Sequence, residues 1–163
     1  MSDRFGVEIQ IGGQLPLEKV QYLIDAINSE EMSLGWGECP IRLKTREDLI
    51  NCLASKESPI VLVDDERAWG DIDGLEETCR NLKLTFKTFV GPKYEYNGQL
   101  RYYSPVTGLI ELECDVDCRP IIKKEDLQEI LSSLNLGRTD GAINKIKEFT
   151  RDFSAPKFEI TEK

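Results

Sequence analysis

The chain has 163 residues, 40% hydrophobic and 31% charged, enough apolar material for one domain with its own core and too much for a disordered polymer. Its formal net charge is −9, which argues against nonspecific nucleic-acid binding, where clustered Lys and Arg must meet phosphates. Histidine is absent, which removes Ser-His-Asp and Cys-His catalysis, histidine general bases and every zinc site that needs imidazole.

Phe5 to Ile11 alternates, with Val7, Ile9 and Ile11 on one face and Glu8 and Gln10 on the other, predicting a half-buried strand over 5–11 that ends at Gly12-Gly13. Pro16 opens a helix to Asn28 in which Leu17, Val20, Leu23, Ile24 and Ile27 recur at helical spacing; proline suits a first turn, where its missing N–H has no partner to lose. Met32, Leu34 and Trp36 alternate with Ser33, Gly35 and Gly37, predicting an extended segment over 32–36 with Trp36 in the core, and Ile41 and Leu43 repeat the pattern. Thr45 and Asp48 have capping-box spacing before a short helix carrying Leu49, Ile50 and Leu53. Residues 59–63 are apolar on both faces, as in a buried strand, and Trp69, Ile72, Leu75, Cys79 and Leu82 then form one helical stripe.

From Thr85 the pattern changes to strands, over 85–90, 93–103 and 109–118. Asn97-Gly98 between extended segments predicts a two-residue hairpin, because both turn positions favour positive φ. That register pairs Glu95 with Leu100 and Lys93 with Tyr102, and sets Tyr94, Tyr96, Gln99, Arg101 and Tyr103 on one face. Leu127, Ile130, Leu131 and Leu134 mark a helix stopping at Gly137, and Thr139 is placed to cap a last helix with Ile143, Ile146, Phe149 and Phe153. Residues 154–163 form a tail or edge strand. The expected architecture is a single α+β domain over 1–163, a mostly antiparallel sheet packed with about five amphipathic helices.

The acidic charge is concentrated in two tracts. Residues 64–77 hold Asp64, Asp65, Glu66, Asp71, Asp73, Glu76 and Glu77 against Arg67 alone, and residues 111–117 hold Glu111, Glu113, Asp115 and Asp117 unopposed. The first tract follows the apolar run Ile60–Val63, where Asp64 and Asp65 could hold Mg²⁺ as a hard cation. Ile60–Glu66 resembles the first strand and acidic pocket of a response-regulator receiver domain, but the phosphoacceptor aspartate of that family would fall where this chain reads Pro105-Val-Thr-Gly108, which excludes it. Asp71 and Asp73 stand at a helix start, where carboxylates accept orphan N–H groups, and Asp73 with Glu76 has the spacing of a capping pair. In the second tract Ile110, Leu112, Cys114 and Val116 point one way and the four carboxylates the other, as on an amphipathic strand with an open acidic face.

Five scattered cysteines, no apolar run near the ~20 residues that span a bilayer, and no hydrophobic leader in MSDRFGVEIQ lead to the expectation of a reduced, cytoplasmic, non-membrane protein. In an extended strand Cys114 and Cys118 would lie ~13 Å apart, too far for a disulfide or a shared zinc, unless the chain turns sharply near Asp117. Tyrosine and arginine dominate binding hot spots. The leading expectation is therefore a non-enzymatic interaction module, inhibitor-like, immunity-like or mimicking nucleic acid. It would meet a basic protein through Tyr94, Tyr96, Arg101, Tyr103, Glu111, Glu113, Asp115 and Asp117, with no cofactor. The alternatives are a small carboxylate-dependent Mg enzyme acting on phosphate esters through Asp64 and Asp65, and a homo-oligomeric structural protein.

Overall fold

In the computed structural model, which describes residues 3–162, β1 (Arg4–Pro16) is the hub of the sheet. Met1, Ser2 and Lys163 of the expected domain and tail lie outside the described residues. β1 pairs antiparallel with β2 (Ile60–Ala68) on one side and β3 (Thr85–Val90) on the other, and β4 (Gly98–Ser104) and β5 (Gly108–Cys114) extend the order to β2-β1-β3-β4-β5. The helices are α1 (Val20–Glu30), α2 (Arg46–Asn51), α3 (Asp73–Asn81), α4 (Lys124–Asn135) and α5 (Thr139–Thr150), giving the expected α+β class with a mostly antiparallel sheet.

Alternation decides which face each strand buries. Val7, Ile9, Ile11, Ile60, Leu62, Phe86 and Val90 join Leu23, Ile24 and Ile27 of α1 and Leu75 and Cys79 of α3 in the main core. Each such fully buried aliphatic or aromatic side chain contributes on the order of 1.5–3 kcal/mol. The opposite face carries a smaller cluster of Leu100, Tyr102, Cys114 and Phe153, with Phe153 edge-on to Tyr102 at 5.5 Å between ring centroids. The cap of α2 forms as the sequence predicts: the Asp48 N–H donates to Thr45 Oγ1 at 3.2 Å, and the Asp48 carboxylate accepts from the Thr45 N–H at 2.9 Å.

Four expectations give way to tertiary structure. Gly12-Gly13 does not end β1. A Cβ on Gly12 would lie 1.8 Å from the Pro156 carbonyl oxygen, so glycine lets the C-terminal tail press on the strand, and β6 (Phe158–Thr161) then pairs with Gly13–Pro16. The tail strand is thus present, and it runs parallel to β1.

No strand forms over 32–36. Ser33 alone bridges to Val63, by N–H···O bonds of 2.8 and 2.9 Å, after which Gly37, at φ 74°, turns the chain and donates its N–H to Asp65 Oδ2 at 2.6 Å. Met32 is buried as expected, but Trp36 lies over Gly6 with 52% of its surface exposed.

The predicted Asn97-Gly98 hairpin over 93–103 does not form. β4 begins at Gly98 and pairs with β3 in a register that sets Phe89 opposite Leu100, Lys87 opposite Tyr102 and Thr88 opposite Arg101, and residues 91–97 make the connection. The predicted register would have set Glu95 against Leu100 in the apolar cluster, and the desolvation of that carboxylate outweighs a local turn preference.

β5 stops at Cys114, so the expected strand over 109–118 is cut short. Asp115 to Cys118 form a tight turn, with Cys118 at φ 61°. Two smaller corrections concern helix starts. Trp69 stands outside α3 at φ 55°, and Glu76 points inward instead of capping, while Asp71 Oδ1 accepts the Asp73 N–H at 2.9 Å. Thr139 is the first residue of α5 and not its side-chain cap.

Candidate binding site: an aromatic cleft edged by carboxylates

Phe5, Trp69 and Tyr96 come from three separate segments. Phe5 lies beside the irregularity in the β1–β2 ladder between Phe5 and Val7. Trp69 follows the last residue of β2, held by its N–H to the Asp3 carbonyl at 2.9 Å and followed by Gly70 at φ 67°. A Cβ on Gly70 would lie 2.5 Å from Val90 Cγ1, so only glycine lets this corner close against β3. Tyr96 belongs to the 91–97 connection, which is tied down by mutual backbone bonds between Lys93 and Tyr96 and by the Gly91 N–H donating to the Gly6 carbonyl. Lys93 Nζ donates to the Arg4 carbonyl at 2.6 Å and sits 5.4 Å from the centre of the Tyr94 ring.

The three rings converge. Phe5 is the buried floor, with its centroid 6.4 Å from both Trp69 and Tyr96, tilted 33° to the first and nearly edge-on, at 72°, to the second. They line a cleft of about 400 Å³ with Val90, Glu95, Asn97, Gln99 and Glu113. Glu113 is fixed by Lys123 Nζ at 2.5 Å on one oxygen and by Asn97 Nδ2 at 2.8 Å on the other, and these hydrogen bonds hold its carboxyl below the ordinary carboxylate range. Glu95 and Glu111 are exposed and have no ion-pair partner among the described residues.

No family model, curated protein or solved structure matches this chain.

Of the eight contact residues expected from sequence, only Tyr96 and Glu113 line the cleft. Glu111 lies on the same sheet face and lines the adjoining hollow with Gln99, Arg101 and Glu113. Tyr94 is 82% exposed and faces Lys93. Arg101 is buried, its Nε donating to Glu76 Oε1 at 2.8 Å and its Nη2 to the Gly70 carbonyl at 3.0 Å, so it supports the corner under Trp69 instead of meeting solvent. Tyr103 stacks on Phe86 at 5.7 Å as part of the core margin. Asp115 and Asp117 leave the strand and both pair with Arg119, at 2.8 and 2.5 Å.

The Mg²⁺ candidates are engaged elsewhere. β2 runs on through Asp64 and Asp65, so they do not mark a strand end. Asp64 Oδ2 pairs with Arg67 Nε at 2.9 Å, Asp65 accepts the Gly37 N–H, and no group of three or more metal-ligating side chains occurs among the described residues. Nor is any helix among the described residues long and apolar enough to cross a membrane.

Sequence reasoning missed Phe5 and Trp69. Phe5 has the parity of Val7, Ile9 and Ile11, which alternation alone marks as a core position, and Trp69 falls at helical spacing from Ile72. The available signal was the pair Trp69-Gly70, a large aromatic beside a residue free to take positive φ.

Proposed function

We propose that this chain is a non-enzymatic protein-interaction module whose aromatic cleft receives a cationic side chain from a basic partner, with Glu95 and Glu111 meeting neighbouring charges. The observation that carries the reading is the convergence of Phe5, Trp69 and Tyr96 beside Glu95 and Glu113. The face of an aromatic ring carries partial negative charge, so a cation within ~6 Å of a ring centre is attracted by roughly 0.5–1 kcal/mol at an exposed site and ~2 kcal/mol once desolvated. Carboxylates at the rim steer the approach of a basic surface and make the association depend on salt. The net charge of −9 favours the same class of partner.

The test uses an arginine-rich peptide as probe, with the Trp69 indole N–H followed by NMR. The indole signal is expected to shift on titration, and affinity to fall from low to high salt. Trp69→Ala or Tyr96→Ala should weaken binding about tenfold or more, a loss of about 1.4 kcal/mol. Tyr94→Ala, outside the cleft, should change nothing. A peptide that binds both cleft variants as tightly as the parent chain, or that leaves the indole unmoved, overturns the proposal.

A further inference from the structure

Cys114 closes β5 and is fully buried; a Cβ on Gly98 would lie 3.1 Å from its Sγ. The chain then reverses within four residues. The Asp115 N–H donates to the Arg119 carbonyl at 3.0 Å, the Cys118 N–H to the Asp115 carbonyl at 3.1 Å, and Asp115 Oδ1 accepts the N–H groups of Asp117 and Arg119, both at 2.9 Å. This turn brings Cys118 back beside Cys114, where it packs against the cluster that Cys114 forms with Leu100, Tyr102 and Phe153. The ~13 Å that an extended strand would put between them is gone. Cys114 is sealed from solvent and Cys118 is half-buried.

We propose that Cys114 and Cys118 are a redox-active dithiol, the site of a reversible intramolecular disulfide formed by exchange with a small disulfide oxidant such as oxidised glutathione. This is independent of the cationic-partner reading. In the first step the Cys118 thiolate attacks one sulfur of the oxidant; the oxidant's S–S bond breaks, a glutathione thiolate leaves, and Cys118 carries a mixed disulfide. In the second, Cys114 gives up its proton and attacks Cys118 Sγ, forming the Cys114–Cys118 bond and expelling the second glutathione thiolate. Two protein thiols are oxidised, one glutathione disulfide is reduced to two glutathione molecules, and the two thiol protons pass to the departing thiolates.

The surroundings divide the roles. The neighbouring Cys114 thiol brings the Cys118 thiol down to about 7, against its partial burial; Lys87 on β3 assists, while Glu8 on β1 and Asp115 in the turn oppose. The same pairing, with burial, pushes Cys114 up. The accessible sulfur is therefore the attacking thiolate and the sealed one the resolving thiol. The other cysteines lack this pairing: Cys39 is exposed, Cys52 donates its thiol to the Asp48 carbonyl at 3.3 Å, and Cys79 is buried among apolar side chains.

The experiment takes the full chain carrying Cys39→Ser, which suppresses coupling between molecules, through graded ratios of oxidised to reduced glutathione. Samples are quenched in acid, denatured, labelled with N-ethylmaleimide and digested with trypsin. No Lys or Arg lies between Cys114 and Cys118, so both sit in one fragment. As the oxidant ratio rises this fragment is expected to lose both labels together and to weigh two hydrogens less than the reduced peptide. Cys114→Ser should stop at a glutathione adduct on Cys118, and Cys118→Ser should leave Cys114 labelled at every ratio. If the parent fragment keeps both labels under the most oxidising ratio, or accumulates glutathione on Cys118 while Cys114 stays labelled, the proposal is wrong. The parent chain alone decides this, whether or not the serine variants fold.

Discussion

Arg101→Met tests whether the buried ion pair organises the acidic side of the sheet. Arg101 and Glu76 are 9% and 4% exposed, their charged atoms 2.8 Å apart, and Arg101 also donates to the Gly70 carbonyl at 3.0 Å. Removing the guanidinium leaves the Glu76 carboxylate without its partner in a site closed to water, where breaking a buried pair costs about 3–5 kcal/mol. A domain of this size has a total stability of about 5–15 kcal/mol and loses roughly 2–4 °C of Tm per kcal/mol, so the expected fall is about 6–20 °C. Adding Glu76→Leu removes the stranded charge, and what remains is chiefly the orphaned Gly70 carbonyl, worth about 1–3 kcal/mol. The double variant should therefore be more stable than Arg101→Met alone. Urea unfolding of the parent, both single variants and the double gives the coupling energy directly. A single-variant loss below about 1 kcal/mol, the range of an exposed pair, or a double variant no better than Arg101→Met, refutes the reasoning. Because Gly70 adjoins Trp69, Arg101→Met should also loosen one wall of the cleft and lower affinity for the arginine-rich peptide.

Gly12→Ala places a methyl on the Pro156 carbonyl and should cost about 1–3 kcal/mol; amide exchange over Phe158–Thr161 should accelerate while β3 stays protected, and unchanged exchange in the tail would count against the close approach. The Asp48 carboxyl, hydrogen-bonded by the N–H groups of Lys44 and Thr45, is held below its ordinary value of 3.8. It therefore contributes stability that is present above that value and lost as pH falls through the lower folded one. Glu30 has the opposite sign: burial, only partly offset by Arg67, raises it above 4.5, so its ionised form opposes folding at neutral pH and protonation relieves this as pH falls through the raised value. As pH falls, carboxyl NMR titration should find Glu30 protonating before Asp48, and the reverse order would contradict both assignments.

Much of the fold was legible because it depends on neighbours in sequence. The alternation of Val7, Ile9 and Ile11, the Thr45–Asp48 box, the apolar run of β2 and the spacing of α1, α4 and α5 each state a local period or a local hydrogen bond, and each appears as an element. The site was legible only in part. Tyr96 and Glu113 stand out by residue type and charge pattern, while Phe5 and Trp69 do not, since nothing local says that the end of β2 and the start of β1 meet the 91–97 connection.

The sequence alone determined the α+β class, the net charge of −9 and the exclusion of histidine chemistry, because composition and periodicity do not depend on what lies across the sheet. Tertiary structure alone decided three things. It set the β3–β4 register, since placing Phe89 and not Glu95 against Leu100 outweighs an Asn-Gly turn preference. It turned Arg101 inward, since Glu76 from α3 waits under the sheet. And it brought Cys118 back onto Cys114, since Asp115 gathers the amides of Asp117 and Arg119 and ends the strand before the acidic ladder is complete.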